Sequence, residues 1–118
     1  MKNYEDMSDS QIAQKVFFFV SSNLCPNGGL AHISSDGFFF FDDKNIKRKF
    51  DPCNNPEDAE PIIIENRIGT IPAPDNGLWK AAHRKIGNDD TPYYFTQDKN
   101  PLRAAMIVFL KMNEDKVI

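Results

Sequence analysis

The chain has 118 residues, a formal charge of −3 and a pI of about 5.3. A chain of this length forms one domain with one hydrophobic core, so we expect a single domain over residues 1–118. Hydrophobic residues make up 41% of the chain and aromatic residues 12%, which argues against disorder. The negative charge weakens any assignment as a general nucleic-acid binder, because such binding uses many phosphate contacts.

The sequence contains neither a membrane span nor a signal peptide by the usual criteria. No apolar run reaches the roughly 18 residues that a span needs. Residues Met1–Asp6 carry acidic side chains where a signal peptide is basic. We therefore expect a cytoplasmic protein with no membrane partner. Cys25 and Cys53 lack CxxC spacing, and we expect both to be reduced, with a disulfide as the alternative.

The first predicted element is a helix from about Asp9 to Asn23. Ser8 and Gln11 form a capping box at its start, and Met7 and Ile12 occupy the hydrophobic staple positions around it. A run of apolar residues with helical spacing follows, which predicts that one face of the helix is buried.

Residues 30–50 have the pattern of β-structure. We predict strands at Ala31–Ser34, Phe38–Phe41 and Ile46–Phe50, separated by turns rich in Asp and Gly. The run of four phenylalanines predicts a strand covered on both faces. An exposed interface is the alternative for that run.

Two segments share one signature, Asn-Pro-x-x-Ala-x-x-Ile-Ile at Asn55–Ile63 and Asn-Pro-x-x-Ala-x-x-Ile-Val at Asn100–Val108. In each, Asn is suited to cap a helix and Pro to the first helical position. We predict that the helix of the first Asn-Pro segment runs from Pro56 to about Arg67 and is closed by Gly69. Pro61 predicts either a kink or a fresh helix start.

The sequence pattern of the second half of the chain predicts two strands and a central helix. Ile71–Gly77 has the composition of a loop, and Leu78–His83 and Tyr93–Thr96 have that of strands. The helix from Pro101 to about Asn113 is apolar over much of its circumference, so we expect it to lie centrally, with Arg103 paired to an acid near the sheet. The fold class is α+β: about three helices packed on a small antiparallel sheet.

Residues that commonly carry chemistry do not form a recognisable pattern. The only histidines, His32 and His83, and the two cysteines lack metal-ligand spacing. Cys53 is the best candidate for a reactive thiol because it precedes a helix N-terminus, but a buried structural role is favoured. We therefore expect no catalytic residue, no cofactor and no metal, and a protein that is not an enzyme.

A basic run at Lys44–Lys49, with aromatic residues elsewhere in the chain, suggests a stacking surface for single-stranded nucleic acid. The acids Asp42, Asp43 and Asp51 flank the run and partly cancel its charge. A solvated hairpin edge is the favoured interpretation, and a nucleic-acid-associated role is kept as an alternative.

Several segments resemble the NinX family, small phage and prophage proteins associated with the nin region of lambda-like phages of enteric bacteria. The resemblance runs from near the N-terminus to the last helix, with Phe38–Phe50 outside the clear match. Its most specific segments are Glu65–Ile68 and Asn100–Leu110. The matching segments are Met7–Asp9 with Ile12 and Val16, Cys53–Ile63, Glu65–Ile68 and Asn100–Leu110.

The resemblance implies a phage accessory protein made inside a bacterium and assigns no activity. Glu60 departs from the family pattern, in which an aromatic residue or Gly is commoner. We expect a non-enzymatic protein that binds a host or phage protein; the alternatives are the nucleic-acid role and a ligand-binding or enzymatic module around Cys53. The candidate interaction surface comprises Cys53, Asn54, Asn55, Glu60, Asn66, Arg67, Trp79 and His83.

Overall fold

The computed structural model describes residues 4–24, 31–73, 77–84 and 93–114. The segment Cys25–Gly29, whose Pro-Asn-Gly-Gly composition predicts a turn, lies outside these ranges. A short 3₁₀ helix at Tyr4–Asp6 precedes the first α-helix. The elements are α1 (Asp9–Leu24), β1 (Ala31–Ser34), β2 (Gly37–Phe41), β3 (Lys47–Lys49), α2 (Pro56–Glu65), β4 (Gly69–Ala73), β5 (Leu78–Arg84), β6 (Tyr93–Asp98) and α3 (Pro101–Glu114).

The α+β class is confirmed: the described residues form three α-helices and two antiparallel sheets. The first sheet has the order β1-β2-β3 and the second β4-β5-β6. Helix α1 packs on the first sheet, and α3 packs on the second sheet and against α1. Helix α2 packs against α3. Within the described ranges, no helix combines the length and apolar character needed to cross a membrane.

Helix α3 is central, as predicted. All seven residues from Ala104 to Leu110 are buried, and so is Met112. Such complete burial follows from its position, because α1, α2 and the second sheet cover different sides of it. The capping box of α1 is also confirmed: the backbone N–H of Gln11 donates to Ser8 Oγ at 3.1 Å, and the Ser8 N–H donates to Gln11 Oε1 at 2.9 Å.

The phenylalanine run forms the predicted strand, but its two faces differ. Phe38 and Phe40 are buried and their rings lie 5.3 and 5.0 Å from the ring of Phe17 on α1. Phe39 and Phe41 point to the opposite face and are only partly covered. The expectation of cover on both faces was therefore wrong, because in the described part of the chain α1 is the helix that packs on this sheet, and it covers one face.

The structure corrects the predicted loop Ile71–Gly77 over its first three residues, and residues 74–76 lie outside the described part of the chain. Gly69–Ala73 forms strand β4, in which Pro72 pairs with Trp79 of β5. A proline is tolerated there because β4 is an edge strand, where a missing N–H need not interrupt the sheet.

Helix α2 continues through Pro61, so a fresh helix start at that residue was wrong. The predicted end at Gly69 was also wrong. Asn66 caps the helix and Arg67 adopts a φ of 54°, while the Ile68 N–H donates to the Ile63 carbonyl at 3.0 Å. This is a Schellman motif with Arg67 at the position where Gly is usual. Burial of Ile68 at the following position favours this early end.

Candidate functional site

The two Asn-Pro segments, 45 positions apart in sequence, meet in the structure. The side-chain amide of Asn100 donates to the carbonyl of Cys53 at 2.5 Å and lies 3.4 Å from Asn54 Oδ1. The start of α3 is therefore bonded to the residues that lead into α2. We call this region the helix-start junction and define it as Asp9, Asp51–Asn55, Asp98, Asn100 and Arg103.

Both asparagines cap their helices, as predicted. Asn55 Oδ1 accepts from the Glu57 N–H at 3.1 Å. Asn100 Oδ1 accepts from the N–H groups of Leu102 at 2.9 Å and Arg103 at 3.3 Å. Asn100 thus uses its oxygen for its own helix and its amide for the other segment, whereas the Asn55 amide bonds locally to Asp58.

Arg103 is the most highly connected residue of the junction. Its guanidinium contacts Asp9 at 2.6 Å and Asp98 at 3.2 Å, which confirms the predicted pairing with an acid near a sheet. Its Nη2 also donates to backbone carbonyls of the N-terminal segment: Tyr4 at 3.4 Å, Glu5 at 3.2 Å and Met7 at 2.7 Å. Burial lowers the pKa of Arg103, but the hydrogen bond and charge of Asp9 outweigh it, so the net pKa is raised.

The polar side chains around Arg103 are bonded to one another. Asn54 donates to Asp9 Oδ2 at 3.0 Å and to Asp51 at 3.1 Å. A cleft of about 200 Å³ opens beside them and is also lined by Asp36 and Lys49. Among the residues that the structure describes, no group of three or more His, Cys, Asp or Glu side chains is placed to hold a metal ion.

Cys53 is the buried member of the junction, and its thiol is free and fully buried. Burial raises the pKa of this thiol far above its ordinary value, and the neighbouring carboxylates of Asp9 and Asp51 add to the effect. The thiol is therefore protonated at neutral pH, and the thiolate that a nucleophile requires is absent. Cys53 offers no contact to a partner in this conformation. Cys25 lies outside the described residues.

The other residues of the predicted surface are distributed over several places. Asn54, Glu60 and Arg67 are exposed. Asn55 and Asn66 are partly buried at the two ends of α2, where Asn66 donates from its amide to the Ile62 carbonyl at 2.8 Å.

Trp79 and His83 are partly buried on β5, on the same face as the fully buried Ala81. His83 Nδ1 is buried and has no hydrogen-bond partner among the described residues.

One exposed feature was missed by the sequence analysis. Ile64 on α2 is 73% exposed, and helical spacing places it beside Glu60 and Pro61 and one further turn from Glu57. We call these four residues the α2 outer face. Their spacing of three and four positions was visible in the sequence, but the aliphatic run Ile62–Ile64 gave no sign of which residue faces solvent.

A family model described as "Bacteriophage P22, NinX" matches residues 3–113. The chain belongs to this NinX family. The match spans both Asn-Pro segments and the whole helix-start junction, and it confirms the resemblance noted from the sequence. This NinX-family chain is accordingly a phage accessory protein. A search of curated proteins gives no match.

Proposed function

We propose that this phage protein acts in the host cytoplasm by binding another protein, without catalysing a reaction. The observation that carries the proposal is the α2 outer face. Ile64 is a large apolar side chain at 73% exposure on a helix that carries Glu57 in its first turn and also Glu60. Protein interfaces characteristically combine a desolvated apolar centre with a polar rim.

The charge of this face defines the chemistry of the partner. Glu57 and Glu60 belong to the face and Glu65 follows Ile64, so three exposed carboxylates lie within two turns of the apolar side chain on the same helix. Arg67 is exposed just beyond the helix end. We infer a partner with an apolar pocket bordered by basic residues, because complementary charges favour encounter and fix the orientation of docking.

The rest of the molecule holds this face rigidly. Ala59 and Ile62 anchor the opposite side of α2 in the core, Asn55 caps its start and the Schellman motif fixes its end. A face fixed in this way loses little conformational entropy on binding.

The test is an affinity pull-down from infected and uninfected host cells, followed by binding of the purified candidate. Tagged wild-type protein is compared with Ile64→Lys and with Ile46→Lys as a matched control, since Ile46 is 49% exposed in a different part of the molecule. We expect Ile64→Lys to weaken binding at least about tenfold while Ile46→Lys binds normally. Circular dichroism checks that both variants are folded.

Two results would contradict the proposal. If no protein is enriched over the tag alone in either lysate, binding as the function fails. If a purified partner binds wild type and Ile64→Lys equally, the α2 outer face is not the site. Affinity for a basic partner should also fall as salt is added.

A further inference from the structure

The face of the first sheet that is turned away from α1 combines aromatic rings with lysines. Phe38 and Phe40 point into the core, so strand alternation places Phe39 and Phe41 on the other side. The strand register places His32 opposite Phe39 on β1, and Lys49 and Lys47 opposite Phe39 and Phe41 on β3. We call His32, Phe39, Phe41, Lys47 and Lys49 the aromatic–basic face.

The rings and cations on this face are in direct contact. The ring of His32 stacks on that of Phe39 with centroids 6.0 Å apart and an angle of 25° between planes. The Lys47 ammonium lies 4.6 Å from the centroid of the Phe39 ring, within the range of a cation–π interaction. The face therefore offers flat rings with a positive charge immediately beside them.

Lys49 extends along the sheet in the same direction as Lys47. A Cβ on Gly37 would lie 2.9 Å from Lys49 Cε, and the φ of Gly37 is 131°, so this position favours glycine on both counts. Lys49 thus extends over a backbone that has no side chain beneath it. Both ammonium groups are placed toward the Gly37 end of β2.

Asp36 and Asp51 line the same cleft as Lys49, but neither forms an ion pair with it among the described residues. Asp42 forms an ion pair with Arg48 and accepts from the backbone N–H groups of Lys44 and Ile46 at 2.9 Å each. Asp51 is bonded to Asn54 in the helix-start junction. Within the described part of the chain, neither Lys47 nor Lys49 forms an ion pair. The negative charge that flanks the run in sequence is therefore largely engaged elsewhere.

We propose that the aromatic–basic face binds single-stranded nucleic acid. An unpaired base stacks on the Phe39–His32 pair, and Lys47 and Lys49 contact the adjoining phosphates. Stacking on aromatic side chains beside a cationic track is the general chemistry of single-strand recognition. In a duplex the bases are stacked on each other and their faces are not available to a ring on a sheet.

The salt dependence of binding follows from the two lysines. Two phosphate contacts on a single strand give a slope of log K against log salt of about −1.4. A rise from about 50 to about 200 mM salt should therefore weaken binding about sevenfold. The site is independent of the α2 outer face, so Ile64→Lys should retain binding to single strands.

Fluorescence anisotropy with labelled strands of about 12 nucleotides tests the proposal. Single-stranded RNA, single-stranded DNA and a duplex of the same length are titrated at about 20 mM salt. Two variants of the site are compared with wild type: Phe39→Leu, and a double variant that combines Lys47→Gln with Lys49→Gln. Each should weaken binding at least about fivefold.

The matched control is Phe95→Leu with Lys80→Gln on the second sheet. There too a lysine ammonium lies over a phenylalanine ring, 5.0 Å from its centroid, and Phe95 is 48% exposed. We expect this double variant to bind like wild type.

The proposal fails if neither RNA nor DNA single strands bind at low salt, if the duplex binds as tightly, or if the control weakens binding as much as the site variants. The RNA and DNA arms show which single strand is preferred.

Discussion

Arg103 and Asp9 are 94 positions apart in the chain and form a 2.6 Å ion pair that joins the start of α3 to the start of α1. The guanidinium is only 13% exposed and also bonds three carbonyls of the N-terminal segment. One side chain therefore holds together the N-terminal segment, α1, the end of β6 and α3. Its role is structural, which leaves binding to the exposed faces.

Replacing Arg103 should strongly destabilise the protein. We expect Arg103→Met to lower the free energy of unfolding by about 3 kcal/mol, because Asp9, Asp98 and the carbonyls lose a partly buried partner together. Arg103→Lys should recover part of this loss, since one ammonium cannot reach all these acceptors. Urea unfolding measures the difference.

The control for Arg103 is Lys15→Gln. Lys15 lies 3.8 Å from Glu114 and its side chain is 32% exposed. Its loss should change the unfolding free energy by less than about 0.5 kcal/mol. Equal effects of the two substitutions would contradict the central role given to Arg103.

The two capping asparagines should differ in importance. Asn55→Ala should cost about 1 kcal/mol, the usual contribution of a cap. Asn100→Ala should cost about 2 kcal/mol, because the bond to the Cys53 carbonyl is lost as well.

Asn100→Asp separates the two roles of Asn100, since a carboxylate still caps the helix but cannot donate to Cys53. It should destabilise the protein despite the intact cap. If Asn100→Asp unfolds at the same urea concentration as wild type, the contact between the two segments contributes nothing.

Arg67→Gly should stabilise the protein. Arg67 has a φ of 54°, a conformation that costs a non-glycine residue about 1 kcal/mol. Glycine at this position of a Schellman motif removes the cost, and a gain of about 0.5–1 kcal/mol is expected. The matched control is Glu65→Gly, two positions earlier and inside α2, which should destabilise by a similar amount. Thermal unfolding of both variants checks the opposite signs.

Features that depend on residues close together in the sequence could be predicted, whereas features that depend on tertiary packing could not. The caps at Asn55 and Asn100 follow from hydrogen bonds within three positions. That Arg103 needs an acid follows from its apolar helix, but the choice of Asp9 depends on how α1 and α3 pack. Strand β4 was missed because the pairing with β5 creates it, against a local composition typical of a loop.

The candidate surface was located only in part, for the same reason. Glu60 was selected for its difference from the family pattern and Arg67 as a polar residue, and both are exposed. Cys53 was selected for its position before a helix and is buried. Exposure of Ile64, and of one face of the phenylalanine strand, depends on which elements cover them. Local sequence carries little of that information.

The thiol of Cys53 should be unreactive in the folded protein. In a Cys25→Ser background, reaction with a disulfide reagent at about pH 8 should be at least about a thousandfold slower than in concentrated urea, because the buried thiol must first be exposed by opening. Burial and the raised pKa of this thiol both disfavour the thiolate in the folded state, so reaction should occur only through opening. A native rate close to the rate in urea would show that Cys53 is accessible.

Asp42 should make the stability of the first sheet depend on pH. Its hydrogen bond from Arg48 holds the pKa of Asp42 below the ordinary value of 3.8. A carboxyl group whose folded-state pKa is lowered stabilises the fold above its unfolded-state pKa, and this contribution disappears as pH falls through the folded-state value. Asp42→Asn retains an oxygen for the N–H groups of Lys44 and Ile46 but loses the ion pair. Wild type should therefore be more stable than Asp42→Asn at neutral pH, with a difference that shrinks below about pH 4.

Urea unfolding across this range measures the difference, and Asp36→Asn in the other turn of the same sheet controls for the loss of one negative charge. A difference that persists undiminished at the lowest pH would mean that the amide disturbs the turn, and that the ion pair with Arg48 is not the source of the stability.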